Sequence, residues 1–162
     1  MSPAPVRFHD PGVLAGDFAG YALVRCPRCA RIAHSTRGAP TVAGARSGSC
    51  PQWRLVCRSC GLCRTRPTAS RGAGHPPGRP DRPVLWLRAG TRHGEIWAYN
   101  LEHLDLLRRF VAASLRERAP WYEHGRKMTY VGRLPAWVKS AKNRAEVLRV
   151  VDRMRVSVIR TD

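Results

Sequence analysis

The apolar positions of this chain show two textures that meet at Pro83. Before it, apolar residues gather in two brief runs, YALVR (21–25) and WRLVC (53–57). Both are rich in residues that suit a pleated strand, and both run into a cysteine, so two short strands are predicted there. Between and around them the chain is built from Gly, Pro, Ser and Arg. Residues 1–20, with Pro3, Pro5, Pro11, Gly12, Gly16 and Gly20, read as a flexible N-terminal arm. Residues 37–49 read as a flexible insertion, and residues 67–82 as a Pro/Arg/Gly-rich linker or loop.

After Pro83 the pattern tightens. VLWLRA (84–89) and GEIWAY (94–99) predict two strands, joined through GTRH into a hairpin. Asn100 is a predicted N-cap. Leu101, Leu104, Leu107, Val111 and Leu115 then recur at helical spacing, and Pro120 is expected to end that helix. A second helical stretch starts near Pro135 and is re-capped by an Asn143/Glu146 pair; its stripe is Val147, Leu148, Val150, Val151 and Met154. Trp86 and Trp97 are expected as cross-strand core partners, and Trp137 as a packing residue between the last helix and the hairpin. No internal repeat occurs.

Composition narrows the setting. No run of 18 apolar residues exists, so no membrane partner is expected. The start, MSPAPVRFHDPG, lacks the apolar segment of a secretory signal. A reducing cytoplasm is the expected location, and there closely spaced cysteines bind metal more often than they pair.

Charge points to a partner. The formal net charge is +18. Residues 1–82 carry 13 arginines against 3 aspartates, and residues 83–162 carry 16 basic against 8 acidic residues. No carboxylate lies between Asp17 and Asp81, a stretch that holds 11 arginines. A GC-rich genome explains an excess of arginine over lysine but not the missing acids. A polyanion is therefore the expected partner, bound with release of condensed counterions.

The sharpest motif is a pair of C-x-x-C turns, Cys26–Cys29 and Cys57–Cys60, each placed after a predicted strand. Two residues between cysteines let both sulfurs of one turn point at one ion. Two such turns make a closed tetrahedral four-thiolate site, which suits a structural zinc ion; iron is the lesser alternative. A redox dithiol would sit at a helix start in a βαβ unit, which this pattern lacks. CPRC and CRSCG resemble the two knuckles of zinc ribbons of the transcription-factor-IIB and rubredoxin-like kind, across residues 21–66. Gly61 follows Cys60 as such knuckles use it; Ala30 stands at the matching place in the first. WAYNLEHLDLL and LPAWVKSAKNRAEVL are similar to uncharacterised bacterial proteins with an N-terminal zinc ribbon, which implies architecture and little more. The expected fold class is thus α+β: an N-terminal four-cysteine zinc ribbon and a β-hairpin packed against two C-terminal helices, the latter parts within 83–162.

Cys50 and Cys63 are read as idle thiols, since four ligands suffice. His34 and His75 are read as solvated loop residues. His93, Asn100 and His103, on a hairpin and the helix after it, resemble the ββα-metal core of HNH nucleases, but their spacings are too short; His103 is expected to face solvent or cap the hairpin. Nothing fits a hydrolytic triad or a nucleotide loop. The expected function is therefore non-enzymatic: nucleic-acid binding, DNA or RNA, mainly through phosphates. The alternatives are an adaptor that docks on a protein of the transcription or translation machinery and, further behind, a metal-dependent nuclease. The candidate contact residues are Arg28, Arg31, Arg54, Arg58, Arg64 and Arg66 around the knuckles, and Lys139, Lys142 and Arg144 on a second surface over 126–144.

Overall fold

The computed structural model describes residues 5–38, 52–67, 83–117 and 129–160. Their order is β1 (Arg7–His9), a 3-10 turn (Ala15–Phe18), β2 (Tyr21–Arg25), β3 (Ile32–Gly38), β4 (Gln52–Val56) and β5 (Cys63–Pro67). Then come β6 (Arg88–Thr91), β7 (Gly94–Trp97), α1 (Leu101–Ala112), β8 (Leu115–Glu117), α2 (Tyr130–Arg133), α3 (Ala136–Lys139) and α4 (Arg144–Ile159). The class is α+β, as expected. Among the described residues no helix is long and apolar enough to cross a membrane.

The cysteine-bearing half is a four-stranded antiparallel sheet, ordered β2-β3-β4-β5. β2 and β4 lie where the two apolar runs place them. β3 and β5 are additions the polar sequence hides, because each is held mainly by ladder pairing to an apolar neighbour. β2 is buried on both faces. Ala22 and Val24 join Cys26, Ala33, Cys57 and Leu85 in one apolar cluster, and Leu23 enters the larger core built on α1 and α4. The outer edge of β2 is covered too. Val24 bridges Leu85, Leu23 N donates to Tyr99 O at 2.7 Å and Arg25 N to Val84 O at 2.7 Å. The two textures of the sequence are thereby joined by backbone hydrogen bonds.

That edge pairing shifts the hairpin. Leu85 and Trp86 lie against β2, so β6 begins only at Arg88, and a two-residue turn, Arg92–His93, joins it to β7. The cross-strand partner of Trp97 is Arg88 instead of Trp86, whose Nε1 donates to Ser157 Oγ of α4 at 3.1 Å. Trp137 packs as expected: its ring lies against Gly94 and stacks with His93.

α1 starts at its predicted cap, with His103 N donating to Asn100 Oδ1 at 2.9 Å. It ends at Ala112, well before Pro120, which lies outside the described residues. Arg116 Nε donates to Phe110 O at 3.3 Å and Arg144 Nη2 to Ala113 O at 3.0 Å, so two arginines satisfy carbonyls at the helix end. The chain then forms β8 with Leu115, which pairs in parallel with β1. This is also where the expected flexible arm differs. Residues 7–9 are a strand, Phe8 packs edge-on against Phe110, and Phe18 stacks on His103. Two buried phenylalanines outweigh the loosening effect of the prolines and glycines around them.

The last helix carries the predicted stripe, with Val147, Val150, Val151, Met154 and Val158 buried. The Asn143/Glu146 capping box does not form. Asn143 Nδ2 donates to Trp137 O at 3.0 Å, and Glu146 pairs with Arg92 of the hairpin turn at 3.0 Å.

Candidate metal centre and basic surface

The two knuckles fold alike. Cys26 N donates to Arg31 O at 2.8 Å, and Cys57 N to Leu62 O at 2.8 Å, each closing a turn between two strands. Ala30 and Gly61 hold positive φ, 59° and 70°, at matching positions. The turns bring the ligand sulfurs of Cys26, Cys29, Cys57 and Cys60 within 4.8 Å of one another. Cys26 Sγ lies 3.7 Å from Cys60 Sγ, and Cys29 Sγ 3.6 Å from Cys57 Sγ. Metal–sulfur bonds of about 2.3 Å in a tetrahedron put sulfurs about 3.8 Å apart. A disulfide would need about 2.0 Å. The spacing is that of four thiolates around a shared ion, so this group could hold a metal. Among the described residues it is the group with that capacity.

The surroundings favour an anionic sulfur at Cys26 and oppose one at Cys29. Arg28 N points at Cys26 Sγ from 3.4 Å. Burial raises the Cys26 thiol, but the amides of Cys29 and Arg28 and the thiol of Cys57 bring it down to about 6. At Cys29 the Arg31 amide favours the thiolate, yet burial and the three other thiols push it up to about 12. One negative sulfur is accommodated readily; further ones at 3.6–3.7 Å need a cation between them.

Of the other sulfur and imidazole candidates, Cys63 is exposed on β5 and outside the group. Cys50 and His75 lie outside the described residues. His34 is on β3, not in a loop, and its Nδ1 hydrogen-bonds with the Tyr21 hydroxyl at 2.7 Å. The two line a cleft of about 370 Å³ between the sheet and the first turn of α1. This pairing crosses 13 residues of chain, and no local pattern signals it.

The nuclease-like trio does not converge. His93 is exposed at the hairpin turn and Asn100 is a cap. His103 is fully buried instead of facing solvent. It sits among Phe18, Trp97, Tyr99 and Tyr130, and its Nδ1 accepts from Tyr99 N at 3.3 Å. Burial pulls its pKa down to about 4.

The arginine candidates are sorted by the ladder. Arg28, Arg31 and Arg58 are exposed on the knuckle turns. Arg54 faces the same side of the sheet as its partners Thr36 and Thr65. Arg64 and Arg66, paired with Leu55 and Trp53, face the other side. Of the three candidates on the second surface, Lys142 is exposed and the other two are half-buried. Lys139 Nζ donates to Gly132 O at 2.6 Å, and Arg144 is the half-buried donor at the end of α1. Burial, then the charge of Arg116, lowers the Lys139 pKa. Arg126 and Lys127 lie outside the described residues. Searches against family models, curated proteins and solved structures find no match to this chain.

Proposed function

We propose that Cys26, Cys29, Cys57 and Cys60 hold one structural zinc ion, and that the protein binds nucleic acid through phosphate contacts on the arginines around that ion. Four soft thiolates with no open ligand position suit zinc as a structural ion, not a catalyst. The observation that carries the nucleic-acid reading is a charge imbalance. Glu95, Asp105, Glu146 and Asp152 each pair with an arginine of the C-terminal half. The cysteine sheet has no acid of its own, and Arg28, Arg31, Arg54, Arg58, Arg64 and Arg66 are exposed on it. Exposed guanidinium groups on a sheet with no acid of its own match a phosphate backbone in charge and in bidentate geometry.

Elemental analysis of protein purified under reducing conditions tests the first part; one zinc per chain is the expected result. Fluorescence anisotropy with a labelled oligonucleotide across a salt series tests the second. Affinity should fall steeply with salt, and Arg28, Arg58 and Arg64 replaced by Ala should weaken it and flatten the slope. A flat salt response in the parent protein overturns the nucleic-acid reading.

A further inference from the structure

A groove of about 860 Å³ runs between the β6–β7 hairpin and α4, lined by Thr91, Arg92, Glu146, Arg149, Val150 and Arg153. Arg149 and Arg153 are one helical turn apart, so their charges share a face and repel each other. The acids that could relieve this are engaged elsewhere. Asp152 holds Arg108 at 2.7 Å, and Asp105 holds Arg109 at 3.2 Å and Arg155 at 3.6 Å. Glu146 faces Arg92 at 3.0 Å, and Glu95 pairs with Arg88. Among the described residues neither Arg149 nor Arg153 makes an ion pair. Arg149 uses only Nε, to Ala145 O at 3.2 Å, which leaves the outer edge of its guanidinium available. Arg92, whose side chain is 69% exposed, closes the opposite wall. At the rim the exposed His93 ring stacks with Trp137, centroids 5.8 Å apart.

We propose that this groove is a phosphate-binding site, in which Arg92, Arg149 and Arg153 take the phosphodiester backbone of a nucleic-acid strand. The proposal rests on the nucleic-acid reading above and gives it a second contact surface, on residues separate from the knuckle arginines. Three guanidinium groups against one carboxylate give the concave wall a net positive field, and guanidinium forks supply paired donors to each phosphate. Glu146 is the restraining group: its carboxylate holds Arg92 and repels the same anion.

The test is anisotropy with a labelled single strand of roughly 20 nucleotides over a salt series. Three variants are compared with the parent: Arg149→Ala/Arg153→Ala, Glu146→Gln and the knuckle pair Arg58→Ala/Arg64→Ala. Loss of two phosphate contacts should weaken binding on the order of tenfold and make the logarithmic salt slope shallower by about 1.4. Glu146→Gln should bind more tightly than the parent, which a merely structural helix face would not produce. All four arginines are exposed, so circular dichroism should show parental folding in both double variants. If the groove variant keeps parental affinity and slope while the knuckle variant loses both, the groove is excluded and the nucleic-acid reading stands. If the parent shows no salt-dependent binding, both are overturned.

Discussion

Ala30 occupies in the first knuckle the left-handed position that Gly61 occupies in the second, with φ of 59° and 70°. The conformation is needed because the residue after each second cysteine must turn the chain back into a strand while the flanking hydrogen bonds close. Glycine adopts it without strain; alanine carries a Cβ that crowds the following carbonyl.

Ala30→Gly should therefore leave stability unchanged or raise it by up to about 1 kcal/mol, since relief of strain opposes the greater freedom of glycine in the unfolded chain. Gly61→Ala should destabilise by about 1–2 kcal/mol. A Cβ at Gly61 would meet no atom within 4 Å, so the cost is one of backbone alone. Thermal melts of the two variants beside the parent measure both.

The metal group makes a second prediction. Cys26→Ser/Cys60→Ser, or treatment with a strong chelator, should lower the melting temperature on the order of 10 °C, since the unfolded chain lacks the site and the free energy of metal binding then adds to that of folding. Cys63→Ser should melt like the parent, because its sulfur lies outside the group. Equal effects from the two replacements would contradict the ligand assignment.

His103 makes stability depend on pH. Its folded pKa is about 4 against an ordinary 6.5, because burial opposes the charged form. Between these values the unfolded chain binds the proton that the folded chain refuses. The contribution is thus complete above pH 6.5 and is lost as the pH falls towards 4, on the order of 3 kcal/mol in all. Denaturant melts across this range should show His103→Phe with a shallower pH dependence than the parent, whatever its absolute stability. Acid would also release a metal held by the four cysteines, in both proteins alike.

Asn100 does more than cap. Its Nδ2 donates to Phe18 O at 3.1 Å and to Tyr21 O at 2.9 Å, while Oδ1 accepts from His103 N. Asn100→Ala removes a cap and leaves two carbonyls without their donor, a cost of roughly 2–4 kcal/mol. Asn100→Asp keeps the cap acceptor but sets a buried carboxylate oxygen against two carbonyl oxygens, so it should also melt below the parent.

Much of this was legible because it is local. The paired cysteines define the knuckles by spacing alone, the two apolar runs mark β2 and β4, and Asn100 announces the start of α1 one residue before it. The buried stripe of α4 repeats with the period of the helix. Each signal acts across a few residues, where the chain's own geometry limits the outcome.

What escaped the sequence depends on partners far along the chain. α1 stops at Ala112 because Arg116 and Arg144 reach its end carbonyls, one of them from more than 30 positions away. The hairpin slides because β2 needs an edge partner, and Leu85 supplies it. His103, read locally as a residue that faces solvent or caps the hairpin, is enclosed by four rings from three separate segments. Glu146 leaves its cap for Arg92, and Arg149 and Arg153 acquire a groove only when the hairpin lies across α4. Spacing and periodicity are properties of a short stretch of backbone, so the sequence by itself determined the cysteine pairs and the main elements. Which polar groups are buried, paired or left facing a cavity depends on what packs against them, and only the tertiary structure decided that.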